Sequence, residues 1–212
     1  MPVIPPVLTQ ITDSSRYHGE PFFEALEQVL AAGVDAVLLR EKALDSARLL
    51  ALAARLRVMT RACGARLIIH TQADIAEAVD ADGVHLAGTA IGSVPVVRGW
   101  LADRSKTVSV SCHHEEDLRL AEDAGADYAL LSPVFPTASH PGAPCLGVTE
   151  FHRMAMQAPL PVVALGGMTP EHASELNWPH VAVISGLLSA DDPAMATRRM
   201  RRCMPEYSAV SV

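Results

Sequence analysis

Two pairs of small residues near the end of the chain could bind a phosphate group. Gly166-Gly167 follows the apolar run PVVAL, and Ser185-Gly186 lies at the end of VAVIS. Small residues allow backbone N–H groups to approach a ligand closely, and helix N-termini favour anions. Either pair alone is equally consistent with a tight turn. Two pairs after successive apolar runs favour a phosphate site.

Two cations, Arg40 and Lys42, follow the apolar run AVLL. Alternate residues of an extended chain point to the same side, so both could face one anionic ligand. An isolated Arg-Glu-Lys sequence is otherwise typical of a solvated surface. The interpretation of Arg40 and Lys42 therefore depends on the fold.

The chain contains nine histidines, some of which could transfer protons. An ordinary histidine pKa of about 6.5 suits general acid–base chemistry. We expect His85, inside an apolar run, to be packed and without a catalytic role. The better-placed candidates follow strand-like runs or lie in a long loop, and they are His70, His113, His114 and His140. A structural role is expected for the remaining histidines, which are His18, His152, His172 and His180.

A long loop is predicted from Ser132 to Gly147, with the sequence SPVFPTASHPGAPCLG. Four prolines and two glycines exclude a continuous helix or strand here. Loops of this length inside compact domains are usually functional or disordered. We interpret this one as an active-site loop.

Eight short apolar runs predict the strands that must position these residues. Most are continuously apolar, as is typical of parallel strands buried on both faces. The runs are Leu8–Thr12, Ala36–Arg40, Leu67–His70, Gly83–Leu86, Thr107–Ser111, Tyr128–Ser132, Pro161–Leu165 and Val181–Ser185.

Helical patterns lie between these runs, and three of the turns leading back to a strand look alike. The turns contain AGVDA, DADGV and AGADY, and include Asp35, Asp82 and Asp127. Alternating strands and helices over 212 residues predict a single-domain (β/α)8 barrel covering residues 1–212. The alternative is an open doubly wound sheet, but Thr12-Asp13-Ser14-Ser15 lacks the Gly-rich turn typical of that fold. In a barrel, the candidate residues would share the C-terminal rim.

Composition excludes several classes of function. Half of the residues are hydrophobic, and the net charge is -7 without a basic stripe, which argues against nucleic-acid binding. No long apolar segment or leader pattern is present, so we expect a cytoplasmic protein without a membrane span. Four scattered cysteines argue against a disulfide framework or a zinc site.

Several stretches of the sequence together resemble the thiamine-phosphate synthase/TenI superfamily. The resemblance covers nearly the whole chain, through LTQITD, GVDAVLLREK, LIIHTQADIAEAVDADGVHLAG, SVSCHHEEDLRLAEDAGADYALLSPVFPT, LPVVALGGMTPEHASEL and VAVISGLL. It implies a (β/α)8 barrel. The synthases join a pyrimidine pyrophosphate to thiazole phosphate with Mg²⁺, whereas TenI-type tautomerases move a proton on a thiazole phosphate carboxylate.

The resemblance implies a retained phosphate cradle and a changed metal site. The cradle positions are Thr137, Gly167, Ser185 and Gly186, to which the pattern of small residues adds Gly166. Arg40 and Lys42 match the pyrophosphate-side cations, and Ser111 matches a serine on the pyrimidine side. The synthase glutamine is replaced by Leu38, and its Asn-Asp pair by His70-Thr71. A metal-binding aspartate aligns with Ala90 and a loop lysine with His140, so neither metal carboxylate is retained.

These departures favour a TenI-like enzyme that catalyses metal-independent proton transfer. Its substrate would be thiazole phosphate or a related small phosphate ester. The tautomerase histidine aligns with Pro133, so His140, His70 or His113 would have to replace it. The alternatives are a divergent synthase, with Mg²⁺ as its only expected cofactor, and a non-catalytic binding module. The 132–147 loop also resembles that of TenI-like domains fused to Nudix hydrolases, where it is expected to be a flexible cover. The loop thus implies a possible Nudix-type partner, and the family resemblance implies a homodimer.

Overall fold

Eight parallel strands form a closed barrel in the computed structural model, which describes residues 3–13, 19–137, 142 and 144–205. Each strand pairs with the next in sequence, and β8 pairs with β1. The strands are β1 (Leu8–Ile11), β2 (Ala36–Leu39), β3 (Arg66–His70), β4 (Gly83–Leu86), β5 (Thr107–Cys112), β6 (Tyr128–Leu131), β7 (Val162–Leu165) and β8 (Val181–Val183).

Helices alternate with the strands. Three of them begin at a side chain that accepts a hydrogen bond from the first turn, at Asp45, Thr169 and Asp192. A 3₁₀ turn, Gly88–Ser93, precedes the fourth helix. The helices are α1 (Glu20–Ala31), α2 (Ser46–Ala62), α3 (Ala73–Ala78), α4 (Val94–Leu101), α5 (Glu115–Asp123), α6 (Gly147–Gln157), α7 (Pro170–Leu176) and α8 (Pro193–Cys203).

The apolar core has two layers. The larger layer lies between the barrel and the helices, and includes Leu8, Val84 and Val110. A smaller cluster inside the barrel includes Ile11, Leu38, Ile68, Tyr128, Leu130 and Val163. Since neighbouring residues of a strand face opposite sides, β1, β2, β3, β6, β7 and β8 contribute to both layers, whereas β4 and β5 add no residue to the inner cluster.

The three similar turns place an aspartate at the start of alternate strands. The Oδ2 atoms of Asp35, Asp82 and Asp127 accept hydrogen bonds from the backbone N–H groups of Leu8, Leu67 and Val108, respectively. Each aspartate also forms an ion pair with an arginine from a helix, and these arginines are Arg201, Arg57 and Arg98. The repeated motif thus joins β1 to β2, β3 to β4 and β5 to β6 at their N-terminal ends.

The predicted barrel is confirmed, and its closure excludes the open doubly wound sheet. Four of the strands (β1, β2, β6 and β8) end one or two residues before the predicted limits, and the sequence patterns assigned no bounds to α6. Across the described ranges, no helix is both long and apolar enough to cross a membrane. All four cysteines are free thiols.

We predict that Asp82→Ala lowers the free energy of unfolding by about 2 kcal/mol, as measured by urea denaturation. The substitution leaves the Leu67 N–H without its acceptor and Arg57, whose side chain is 12% exposed, without its closest carboxylate. The matched control is Arg48→Ala, which removes an exposed pair with Asp45 and should cost less than about 0.5 kcal/mol. Equal losses in both variants would contradict this account.

Candidate active site

A cavity of about 590 Å³ lies at the C-terminal ends of the strands. Its floor is apolar and includes Leu38 from β2, at the position where the synthases have glutamine. Its polar wall comes mainly from β2 to β6 and the segments that follow them. The wall contains Arg40, Lys42, His70, His85, Ser111, His113, His114, Asp117 and Ser132.

A second cavity of about 260 Å³ adjoins the first at the ends of β7 and β8. The two cavities share Thr137, Leu165, Gly166 and Ile184. All of the predicted phosphate-binding residues line the smaller cavity, namely Thr137, Gly166, Gly167, Ser185 and Gly186. The barrel therefore brings the small-residue pairs together, beside the compartment that contains the cations.

Only glycine suits the backbone conformation and the close packing at Gly166 and Gly167. Their φ angles are +105° and +65°, values that side-chain-bearing residues rarely adopt. A Cβ at Gly166 would lie 2.7 Å from the Pro133 Cα, and one at Gly167 would lie 2.4 Å from the Pro136 carbonyl oxygen. The glycines therefore allow the 132–137 segment to pack against the end of β7, whether or not a phosphate binds.

The first part of the predicted loop is anchored, contrary to the expectation of a flexible cover. The N–H groups of Val134 and Phe135 donate to the carbonyl oxygens of Leu165 and Gly166 at 2.9 and 3.1 Å. The Phe135 ring also stacks on His172, with centroids 4.0 Å apart. Residues 132–137 therefore form a fixed wall of the site. His140 and its immediate neighbours lie outside the described residues, so the proposed role of His140 stays a prediction.

His70 reaches the larger cavity from the end of β3. Its Nδ1 lies 2.9 Å from Thr71 Oγ1 in a hydrogen bond, and Thr71 has a positive φ of 68°. Positive φ is strained for a β-branched residue and is most often found at functional sites. Burial, together with the positive charges of Arg40 and Lys42, lowers the pKa of His70 to about 4. The imidazole is therefore neutral at pH 7 and can accept a proton.

The predicted packing of His85 is confirmed, but its place beside the cavity was not predicted. It is packed within β4 and only 3% exposed, but its imidazole also lines the cavity. Burial, with smaller contributions from His70 and Arg40, lowers its pKa to about 3. A usable signal was present in the sequence, because His85 precedes a strand with polar residues at alternate positions, Ser109 and Ser111. Three inward-facing polar residues in neighbouring strands are unusual in a barrel core.

His113 lies at the rim between β5 and β6. Its Nδ1 forms a 2.7 Å hydrogen bond with the Ser132 carbonyl oxygen. Asp117 Oδ2 accepts hydrogen bonds from the backbone N–H groups of His113 and His114, which fixes this turn. The two predicted bases on either side of the cavity, His70 and His113, are therefore both held by a bond at Nδ1.

The residues present do not fit a Mg²⁺ site. Mg²⁺ is usually held by one or two carboxylates together with substrate phosphates. Asp117 is the single carboxylate on the described wall of the larger cavity, and its Oδ2 already accepts two backbone hydrogen bonds. The described residues contain no cluster of three or more His, Cys, Asp or Glu side chains.

Positive charge dominates the larger cavity instead. The Arg40 backbone N–H donates to Thr12 Oγ1 at 3.0 Å, which ties the end of β2 to β1. In the described part of the chain, neither Arg40 nor Lys42 forms a salt bridge. The wall is therefore suited to an anionic ligand bound directly by side chains.

We predict that Gly167→Ala lowers the melting temperature and removes most of the stabilisation that inorganic phosphate provides in a thermal-shift assay. The added Cβ would displace Pro136 and Thr137 from the smaller cavity. The control is Gly125→Ala, at φ +82° with no atom within 4 Å of the added Cβ. It should cost about 1 kcal/mol in backbone strain but keep the phosphate response. A full phosphate response in Gly167→Ala would contradict the predicted cradle.

We also predict a pH dependence of stability that His85 causes. Between about pH 4 and 6 the unfolded chain binds a proton on this imidazole and the folded protein does not, so stability rises with pH. The contribution is about 1.4 kcal/mol per pH unit in this window. Denaturation of His85→Asn across the window should show a correspondingly smaller slope, and the control variant Val58→Ala, at an exposed residue that does not titrate, an unchanged one. An identical slope in His85→Asn would show that the imidazole is not held neutral.

Comparison with known proteins supports the resemblance. The family model for thiamine monophosphate synthase matches residues 8–187. A putative thiamine-phosphate synthase 2 from Aquifex aeolicus is 42% identical over 166 residues, covering 78% of this chain and 87% of the relative. Thiamine-phosphate synthase from Syntrophomonas wolfei is 35% identical, with 91% and 93% of the two chains covered.

Solved structures agree with these relatives. Thiamine phosphate pyrophosphorylase from Pyrococcus furiosus superposes with a TM-score of 0.81 and 30% identity, covering 92% of this chain and 94% of that structure. A 3-hexulose-6-phosphate synthase, at 17% identity and a TM-score of 0.70, shares the fold. The match of the family model over most of the barrel, together with these relatives, shows that the chain belongs to the thiamine monophosphate synthase family.

Proposed function

We propose that this chain joins two phosphorylated substrates, a pyrimidine pyrophosphate and a thiazole phosphate, as a divergent thiamine-phosphate synthase. The observation that carries the proposal is the pair of adjoining compartments at the barrel mouth. The larger one contains two cations, and the smaller one is built from small residues. A reaction between two anionic substrates needs two such sites side by side. The names of the relatives support this proposal over a tautomerase.

The roles follow from the chemistry of each compartment. Arg40 and Lys42 bind the pyrophosphate and stabilise the negative charge that develops when it leaves. Backbone N–H groups near Gly167 and Gly186 hold the phosphate of the thiazole substrate. Ser111, near the end of β5 on the cavity wall, contacts the pyrimidine. The thiazole nitrogen then attacks the pyrimidine methylene carbon as the bond to pyrophosphate breaks.

The described residues offer no suitable donor set for Mg²⁺, and this gives the proposal a distinctive feature. The leaving group is neutralised by protein cations, and no step depends on a metal held by carboxylates. His70 and Thr71, at the positions of the synthase Asn-Asp pair, add no negative charge to the wall.

A second function, metal-independent proton transfer on a thiazole phosphate carboxylate, is favoured by a different observation. His70 and His113 each have Nδ1 engaged, by Thr71 and the Ser132 carbonyl respectively, so that Nε2 is available to a substrate. The lowered pKa of His70 keeps its imidazole neutral at pH 7, so it can accept a proton, but as a weak base. In this case Arg40 and Lys42 would bind the carboxylate.

The test is an assay of the purified protein with thiazole phosphate and pyrimidine pyrophosphate, in Mg²⁺ or in EDTA, with thiamine phosphate followed by mass spectrometry. We expect product in both conditions. Arg40→Ala should raise KM for the pyrophosphate substrate roughly tenfold or more, because a charge-assisted contact of over about 1.4 kcal/mol is lost. The control variant is Arg48→Ala, on the outer surface.

Failure to form thiamine phosphate in either condition would overturn the synthase proposal. Deuterium uptake into thiazole phosphate carboxylate from D₂O, abolished in His70→Asn or His113→Asn, would then support proton transfer. Phosphate-ester binding without either reaction would support a binding module, and a Nudix-type hydrolase could then be tested as its partner.

A further inference from the structure

His85 is enclosed between two serine hydroxyls in the barrel wall. Its Nδ1 lies 2.9 Å from Ser109 Oγ, and its Nε2 lies 2.9 Å from Ser111 Oγ. His85 and Ser109 are buried, at 3% and 0% exposure, whereas Ser111 is half-buried and lines the cavity. The three side chains thus form a chain of hydrogen bonds that ends at the substrate compartment.

Strand register produces this arrangement. His85 pairs with Ser109 between β4 and β5, and with His70 between β3 and β4. Side chains of paired residues on one face are close neighbours, and the residue two positions further on, Ser111, faces the same side. The imidazole therefore reaches one serine beside it and another further along β5.

We propose that His85 is a positioning residue, which orients the Ser111 hydroxyl toward the ligand while Ser109 holds the opposite edge of the imidazole. The proposal deepens the synthase function and rests on it for the role of Ser111 in turnover. A free serine hydroxyl rotates, whereas one bonded to a fixed imidazole has a restricted direction. A positioned hydrogen-bond partner contributes to catalysis by pre-organisation.

The geometry also explains why His85 acts through another residue. Both of its ring nitrogens are engaged by serines, and its side chain is almost entirely enclosed. A neutral imidazole has one donor and one acceptor nitrogen, and hydroxyls can take either role, so both bonds are satisfied in either tautomer. Since Ser111 keeps further hydrogen-bonding capacity, it is the member of the chain that can contact a substrate.

The first test is independent of activity and uses ¹H–¹⁵N correlation spectra of the histidine rings in the full chain. Ser111→Ala should shift the His85 Nε2 signal, and Ser109→Ala should shift its Nδ1 signal. The ring signals of His152, which bonds to the Leu176 carbonyl outside the cavity, should not move. Unchanged His85 signals in both serine variants would overturn the proposal, whatever the reaction of the protein.

The second test is a double-mutant cycle on thiamine phosphate formation. We expect His85→Asn to lower kcat roughly tenfold with a smaller change in KM, and to lower it less than about twofold in a Ser111→Ala background. Ser109→Ala, a milder change in case His85→Asn fails to fold, should reproduce part of the loss. His152→Asn is the control and should leave kcat unchanged. Additive losses from His85→Asn and Ser111→Ala would overturn the proposal.

The two tests separate the possible failures. No thiamine phosphate from the unmodified protein, with shifted His85 signals in the serine variants, would remove the synthase function and leave the positioning of Ser111 supported. Active protein with unshifted signals would support the synthase function and reject the positioning role.

Discussion

Parallel strand register is the constraint on which the site depends. The strands have only three to six residues each, so each pair has few backbone hydrogen bonds with which to set its alignment. Asp35, Asp82 and Asp127 add a fixed point at the N-terminal ends, because each bonds a backbone N–H of the preceding strand and an arginine of a helix. Because the N-terminal ends of the strands are aligned, their C-terminal ends, where the cavity lies, are aligned as well. A shift of one residue between β4 and β5 would turn Ser109 and Ser111 toward the helices.

The same inward-facing positions determine the electrostatics of the cavity. Burial and neighbouring cations keep His70 and His85 neutral, so the positive charge of the wall comes mainly from Arg40 and Lys42. The one described carboxylate on that wall is occupied by backbone donors. Among the described residues, no ion pair would have to be displaced for an anion to bind Arg40 or Lys42. The family resemblance implies carboxylates that hold a metal in a metal-dependent synthase. This chain has the same barrel, but the charged side chains of its cavity wall are mainly cations.

The fold was largely predictable from local patterns. Short, continuously apolar runs alternating with capped helices indicated the barrel, because few folds bury parallel strands on both faces. The pairs of small residues marked the ends of β7 and β8, and the repeated aspartate turns marked the starts of three strands. Prediction was weaker where the neighbours of a segment determine its conformation. The Pro-rich loop was expected to be flexible, yet residues 132–137 are held by β7, whose glycines leave room for them.

The sequence by itself determined the order of the elements, the family, and the chemical types available at the strand ends. It could not decide which residues face one another across strands, because a strand buried on both faces, such as β4, shows no apolar–polar alternation that separates the inner from the outer face. Tertiary structure decided that His85 lies between Ser109 and Ser111, and that His70 lies beside two cations. These relations arise only when the barrel closes, because closure places residues of separate strands within hydrogen-bonding distance.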